Sequence, residues 1–138
     1  MHIEYKVNAA IAVEQFIELL RESTLGERRP IDDLDCMAGM VTHSNLMVSA
    51  WHDAQLVGIA RAMTDFHYAC YLSDLAVHRH YQRHGIGKRL LTTTQAQLGS
   101  KCNLILIAAP AANAYYEQLG FTHNPRCWVL GRQQTIRS

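Results

Sequence analysis

The sequence predicts an α/β fold in which helices cover both faces of a mixed β-sheet. Three observations support it. Apolar residues recur with helical spacing in the first forty positions, β-prone runs follow between residues 45 and 77, and helix-like and strand-like segments then alternate. The predicted order is β-α-α-β-β-β-α-β-α-β, which interleaves the two kinds of element as layered folds do. We expect one domain over residues 1–138.

The first elements are a short strand and two helices. Residues 2–7 are β-prone, and Asn8 is suited to cap a helix whose apolar face continues as far as Leu20. A second helix, with apolar residues three and four positions apart, is suited to a cap at Asp32 or Asp33.

The middle of the chain predicts three strands. Residues 45–51 and 55–63 are β-prone and flank a short polar turn, so they predict a hairpin. Residues 68–77 predict a third and longer strand. A polar segment separates this strand from the next helix.

The last third predicts helices and strands in alternation. Ile86 to Leu98 has helical spacing, and the apolar run 103–108 is typical of a buried central strand. Pro110 suits the start of a short helix through Gln118. Residues 128–130 predict a final strand.

Composition limits the classes of function. Hydrophobic residues make up 49% of the 138 residues and charged residues 18%, so the chain can bury a core. The net charge of +1 gives no reason to expect a nucleic acid or an anionic membrane as partner. No segment approaches the roughly 18 apolar residues of a membrane span, and the N-terminus lacks a signal-peptide core. We expect a cytoplasmic protein with reduced cysteines and no metal.

A glycine-containing loop between the third strand and the following helix carries the strongest chemical signal. A helix start offers unpaired N–H groups and the positive end of the helix dipole, and glycines let the backbone approach an anion. The loop is not a P-loop or a dinucleotide fingerprint, because the required glycines and hydroxyl residue are missing. Its members are Gln82, Arg83, His84, Gly85, Ile86, Gly87 and Lys88.

The spacing of Gln82, Gly85 and Gly87 follows Q/R-x-x-G-x-G/A and resembles the coenzyme A pyrophosphate loop of the GNAT superfamily of N-acetyltransferases. The strand before it resembles the family's fourth strand, whose backbone pairs with the pantetheine arm. The resemblance therefore implies a GNAT-like fold and acetyl-CoA as cofactor, with pyrophosphate on the loop N–H groups. It assigns the pantetheine arm to Leu75, Ala76 and Val77, and the developing oxyanion to the Val77 N–H.

The segment from Pro110 onwards resembles the family's later helix, which ends in Y-x-x-x-G-F at Tyr116, Gly120 and Phe121. The resemblance implies that Tyr116 is the general acid. A phenol with a pKa near ~10 can protonate a thiolate whose conjugate acid has a pKa near ~8.5. Many members carry an asparagine seven residues before this tyrosine, where this chain has Ala109. Asn113 is the alternative contact to pantetheine.

The general base is less clear from the sequence. Positions that carry Glu or His in some relatives correspond to Tyr71 and Ser73, and Ser73 is kept as a candidate catalytic residue. Asp74 is the only carboxylate on the strand. Strand alternation turns it to the opposite face unless a bulge re-aims it. Three routes stay open: Asp74 as base, a water relay to Asp74 or Asp65, or an amine that arrives deprotonated.

The acceptor is predicted to be a small-molecule amine or a peptide. The charged segment from Glu27 to Asp33 is either a solvated loop or an acceptor-recognition loop. An exposed edge strand near either terminus would permit a homodimer. The alternative function is a non-catalytic acyl-CoA sensor, motivated by the missing base and by Ala109.

Overall fold

The computed structural model describes all residues from Met1 to Ser138. It contains five strands and four α-helices, with short 3-10 turns between some of them. In chain order the elements are β1 (Glu4–Val7), α1 (Val13–Glu22), α2 (Leu34–Thr42), β2 (Leu46–His52), β3 (Gln55–Thr64), β4 (Ala69–Val77), α3 (Ile86–Ala96), β5 (Asn103–Leu106) and α4 (Asn113–Gln118).

The sheet has the strand order β1-β2-β3-β4-β5. The first three pairings are antiparallel, and β4 pairs with β5 in parallel. The predicted mixed sheet is therefore confirmed, and so is the predicted hairpin of β2 and β3.

Helices cover both faces of the sheet, as predicted. On one face, α1 and α2 bury Phe16, Leu20 and Met37 against β2 and β3. On the other face α3 packs so closely that a Cβ added at Gly58 of β3 would lie 3.1 Å from side-chain atoms of both Ile86 and Leu90. This close packing explains a glycine in the middle of a buried strand.

A bulge interrupts β4 at Ser73. Arg61 of β3 lies opposite Asp74, whereas the next residue, Ala62, lies opposite Leu72. Ser73 is thus the extra residue, and the alternation of side chains reverses across it. Because directly opposed residues share a face, Asp74 lies on the face of Arg61, next to α1 and α2.

Of the two predicted helix caps, one was wrong and one was confirmed. Asn8 does not cap α1, whose N-cap is Ala12. Instead Asn8 adopts a left-handed conformation after β1, and its Oδ1 accepts a hydrogen bond from the Met47 N–H. Asp33 does cap α2, since its side chain accepts the Cys36 N–H.

The predicted buried central strand over 103–108 was also wrong. β5 ends at Leu106 and is the edge strand of the sheet. Ile105 is 48% exposed. An apolar run is compatible with either position in a sheet, because hydrophobicity does not specify how many neighbours a strand has.

The chain divides into two compact units, Met1–Ile107 and Ala108–Ser138. The second contains α4 and has no buried residue. The predicted strand at 128–130 is wrong, because this segment has no regular structure and Trp128 is 90% exposed. A strand needs a paired neighbour, and this segment has none. That residues 1–138 behave as one domain stays a prediction.

Candidate acetyl-CoA site

The loop before α3 presents a row of free backbone donors. None of the N–H groups from Arg83 to Lys88 donates a hydrogen bond to another protein group. The first such bond into the helix runs from the Arg89 N–H to the Gly85 carbonyl at 3.1 Å. These donors coincide with the positive end of the helix dipole, so the loop can bind an anion such as pyrophosphate.

Two left-handed residues shape this loop. Arg83 has φ of 65° and Gly85, the N-cap of α3, has φ of 78°. Glycine adopts this conformation without strain, which explains Gly85. The Gln82 side chain donates to the Val77 carbonyl at 3.2 Å and ties the start of the loop to the end of β4.

The outer edge of β4 is open next to this loop. β5 pairs with β4 only from Ala69 to Leu72. On the β3 side, the His78 N–H donates to the Val57 carbonyl at 2.8 Å. N–H groups alternate in direction along a strand, so those of Leu75 and Val77 point away from β3. These two N–H groups, on either side of Ala76, could pair with an extended chain that bears amide groups.

Asp74 is the most buried charged group near the bulge. Its side chain has no exposed surface. One carboxylate oxygen accepts from Nε of Arg61, and the other from Nε of Arg29 at 2.5 Å. The bulge does re-aim Asp74, but it directs the carboxylate into two guanidinium groups. Both oxygens are engaged in these ion pairs, which argues against Asp74 as the group that takes a proton from a substrate.

Ser73 is held by the same arginines. Its hydroxyl accepts from Nη2 of Arg61 at 2.8 Å, and its carbonyl accepts from Nη2 of Arg29 at 2.8 Å. Sequence reasoning missed Arg29 and Arg61. Arg29 is 45 positions from Asp74, and no motif links them.

Asp65 closes the turn between β3 and β4. Its Oδ1 accepts N–H groups of His67, Tyr68 and Ala69 at 2.8 to 3.0 Å. These hydrogen bonds, with that from Tyr68 the largest cause, lower the pKa of Asp65 to about 2. A carboxylate so stabilised is a poor proton acceptor, which argues against the relay to Asp65.

His78 supports the turn that leads into the loop. Its Nδ1 accepts the His80 N–H at 3.1 Å, and burial lowers the pKa of the ring. Glu22 of α1 contacts Nε of Arg79 at 3.0 Å. These groups line a cleft of about 560 Å³ beside α1, and none of the residues assigned to acetyl-CoA lines it.

The second unit carries Tyr116 and Asn113. The Tyr116 ring packs edge-on against Tyr115 and Phe121, with centroids 5.4 Å away in each case. Burial, and to a lesser extent Tyr115, raises the pKa of Tyr116 above 10. The phenol is therefore protonated at neutral pH. Asn113 is the exposed first residue of α4.

No group of three or more His, Cys, Asp or Glu side chains is arranged to hold a metal ion. None of the helices is both long and apolar enough to cross a membrane.

Comparison with known proteins identifies the family. Residues 23–127 match the acetyltransferase (GNAT) domain. An uncharacterized ycf52-like N-acetyltransferase from Prochlorococcus marinus is 31% identical over 116 residues, which are 80% of this chain and 63% of the relative. The chain thus spans just under two thirds of that curated relative.

Solved structures agree in fold. A GNAT-family acetyltransferase from Streptococcus pneumoniae superposes with a TM-score of 0.69 at 19% identity, over 96% of this chain and all of that one. The aminoglycoside N-acetyltransferase AAC(6')-Iy, solved in complex with CoA, superposes with a TM-score of 0.71 at 17% identity, over 96% of each chain. On the family match, which covers more than half of its residues, this chain belongs to the GNAT acetyltransferase family.

Proposed function

We propose that this protein transfers the acetyl group of acetyl-CoA to a primary amine. The observation that carries the proposal is the row of unpaired N–H groups from Arg83 to Lys88 beside the open edge of β4. The loop donors suit a pyrophosphate, and the free N–H of Val77, next to the loop, suits an amide of the pantetheine arm.

The reaction needs a carbonyl activator and an acid. The neutral amine nitrogen bonds to the thioester carbon as the carbonyl π electrons move onto the oxygen, and the carbon–sulfur bond breaks as the carbonyl re-forms. The departing thiolate takes one proton, and the nitrogen of the product releases one proton to water. We assign the developing oxyanion to the N–H of Leu75 rather than to that of Val77, because the thioester lies at the end of the arm away from the pyrophosphate and Leu75 lies farther from the loop. We assign the proton to the phenol of Tyr116, as the family motif implies, with Asn113 as a further contact to the cofactor.

No protein group is assigned to remove a proton from a protonated amine before it attacks the thioester. Asp74 is paired with two arginines, and hydrogen bonds lower the pKa of Asp65. Ser73 is not basic near neutral pH, and its hydroxyl accepts from Arg61. We therefore propose that the amine reaches the thioester already deprotonated.

Thiol release from acetyl-CoA tests the proposal on a panel of n-butylamine, spermidine, sisomicin, a lysine-containing peptide and a peptide with a free N-terminus. Sisomicin belongs in the panel because an aminoglycoside acetyltransferase of similar fold was solved with it. Turnover with any acceptor supports the transferase. Calorimetric binding of acetyl-CoA without turnover favours the acyl-CoA sensor instead.

Changing Tyr116 to Phe tests the acid. We expect kcat to fall by about 10² or more, with acetyl-CoA affinity unchanged, because only proton donation is lost. Tyr115→Phe is the matched control, since it removes the neighbouring phenol. Equal kcat in the wild type and Tyr116→Phe would remove Tyr116 from this role.

The pH dependence of turnover tests the route of the amine proton. Without a protein base, kcat/KM should rise about tenfold per pH unit up to the pKa of the acceptor, near ~10.4 for a lysine amine and near ~8 for a peptide N-terminus. An inflection at the same pH with both acceptors would instead reveal a base on the enzyme.

A further inference from the structure

The connection between α1 and α2, residues 23–33, reaches β4 through the side chain of Arg29. Nε of Arg29 lies 2.5 Å from Oδ1 of Asp74, and Nη2 donates to the Ser73 carbonyl at 2.8 Å. The Arg29 side chain is 22% exposed. Apolar contacts also hold the connection, because Leu25 and Ile31 pack against the core. Loss of Arg29 should therefore loosen it without unfolding the chain.

Arg28 and Arg29 are adjacent and have different environments. The Arg28 side chain makes no ion pair or hydrogen bond, and the residue is exposed. Its carbonyl accepts from Nη1 of Arg29 at 2.9 Å, so the Arg29 guanidinium also fixes the backbone of its own turn. Because Arg28 and Arg29 have the same charge and only Arg29 has side-chain contacts, a change at Arg28 is a matched control for a change at Arg29.

Arg29 and Arg61 converge on the bulge from different elements. Arg61 lies opposite Asp74 in the neighbouring strand, so sheet pairing alone keeps these two residues together. Arg61 also donates to Oγ of Ser44, just beyond α2, at 2.9 Å. Arg29 has no strand pairing to hold it near Asp74. Its hydrogen bonds are the polar link between the connection and the sheet.

We infer that Arg29 is a positioning residue that fixes the connection 23–33 against the β4 bulge, and so holds the free edge of β4 in place for attack on the acetyl group. This inference rests on the proposed function. The carbonyl that Arg29 binds belongs to Ser73, two residues before Leu75, whose N–H points to the open edge. A shift of about 1 Å at such a point is enough to impair attack.

The chemistry requires an arginine. Nε and Nη2 form a planar fork that reaches a carboxylate and a carbonyl together. Lysine at position 29 keeps the charge but offers a single nitrogen, so it can pair with Asp74 while releasing Ser73. Arg29→Lys should therefore behave like Arg29→Gln at the bulge.

Amide hydrogen exchange tests, without any substrate, whether Arg29 holds the connection 23–33 against β4. In Arg29→Gln and Arg29→Lys we expect exchange about tenfold faster or more over residues 23–33, since a buried charged hydrogen bond is lost. Arg28→Gln, the control of equal charge change, should match the wild type. Equal exchange in the Arg28 and Arg29 variants would show that Arg29 does not hold the connection, whether or not the chain is an enzyme.

Kinetics test the positioning role, using the panel amine that the wild type acetylates fastest. Arg29→Lys and Arg29→Gln should lower kcat about tenfold with the acceptor KM within twofold of wild type, because alignment for attack is lost and binding of the acceptor is not. An unchanged kcat despite faster exchange would overturn the positioning role. Wild-type binding of acetyl-CoA without turnover would overturn both the proposed function and the positioning role, and the exchange result alone would then decide whether Arg29 holds the connection.

Discussion

At the start of α3, consecutive backbone N–H groups from Arg83 to Lys88 find no acceptor in the protein, whereas at the β4 bulge both oxygens of Asp74 are paired. The loop is exposed except at Ile86 and Gly87, whereas Asp74 is buried and Ser73 is half-buried. Unpaired donors are tolerated where water or a ligand can reach them, but a buried charge without a partner is costly. The loop is therefore suited to bind a ligand, whereas the ion pairs of Asp74 hold the structure around the bulge.

Removing the charge of Asp74 should have the largest effect. Asp74→Asn leaves two guanidinium groups without a counter-charge, and we expect a loss of about 3–5 kcal/mol in the free energy of unfolding. Urea denaturation measures it, with Asp32→Asn on the surface as control. A loss below about 1 kcal/mol would mean that water already solvates Arg29 and Arg61, and the contrast with the loop would fail.

Changing Gly85 to Ala should disturb the conformation of the loop before α3 and no other part of the fold. A Cβ there meets no atom within 4 Å, so Gly85→Ala is strained only through φ of +78°. We expect a cost of about 1–2 kcal/mol and acetyl-CoA binding weakened by about tenfold. Thermal melts and calorimetry measure the two effects.

Gly39→Ala is the matched control for that variant. Gly39 lies inside α2, and a Cβ there also meets no atom within 4 Å. Alanine should stabilise the chain by about 0.5–1 kcal/mol and leave acetyl-CoA binding unchanged. Similar losses in both variants would show that the conformation of Gly85 is not special.

The smallest effect concerns the exposed turn at Asp65, where, unlike in the loop before α3, the backbone N–H groups have an acceptor in the Asp65 carboxylate. Its pKa of about 2 lies below the ordinary value of 3.8. Its contribution to stability is therefore complete above about pH 4 and is lost as the pH falls through about 2. A carboxyl NMR titration should give a midpoint near 2. A midpoint near 3.8 would show that the turn is open in solution.

Sequence patterns predicted the parts of the fold that depend on neighbours in the chain. The Asp33 cap, the β2–β3 hairpin and the loop before α3 are encoded within a few residues each. The role of Asp74 depends instead on Arg29 and Arg61, which are 45 and 13 positions away. Long-range pairing of this kind leaves no local pattern.

The two wrong strand predictions also depended on partners distant in the sequence. The apolar run of β5 does not encode its place at the edge, and the apolar segment at 128–130 does not encode a partner. A bulge was considered only as a condition that would re-aim Asp74, and alternation alone could not say that a bulge would occur or that Ser73 would be the extra residue.

The most direct test of the account is an amide NMR titration with coenzyme A. It follows each N–H group without requiring an acceptor or turnover. We expect the largest shift changes at Arg83 to Lys88, with further changes at Leu75 and Val77, and little change at Asp74. Pantetheine, which lacks the pyrophosphate, should leave the loop amides unshifted. Unchanged loop amides at saturating coenzyme A would contradict the central claim that this loop binds the cofactor.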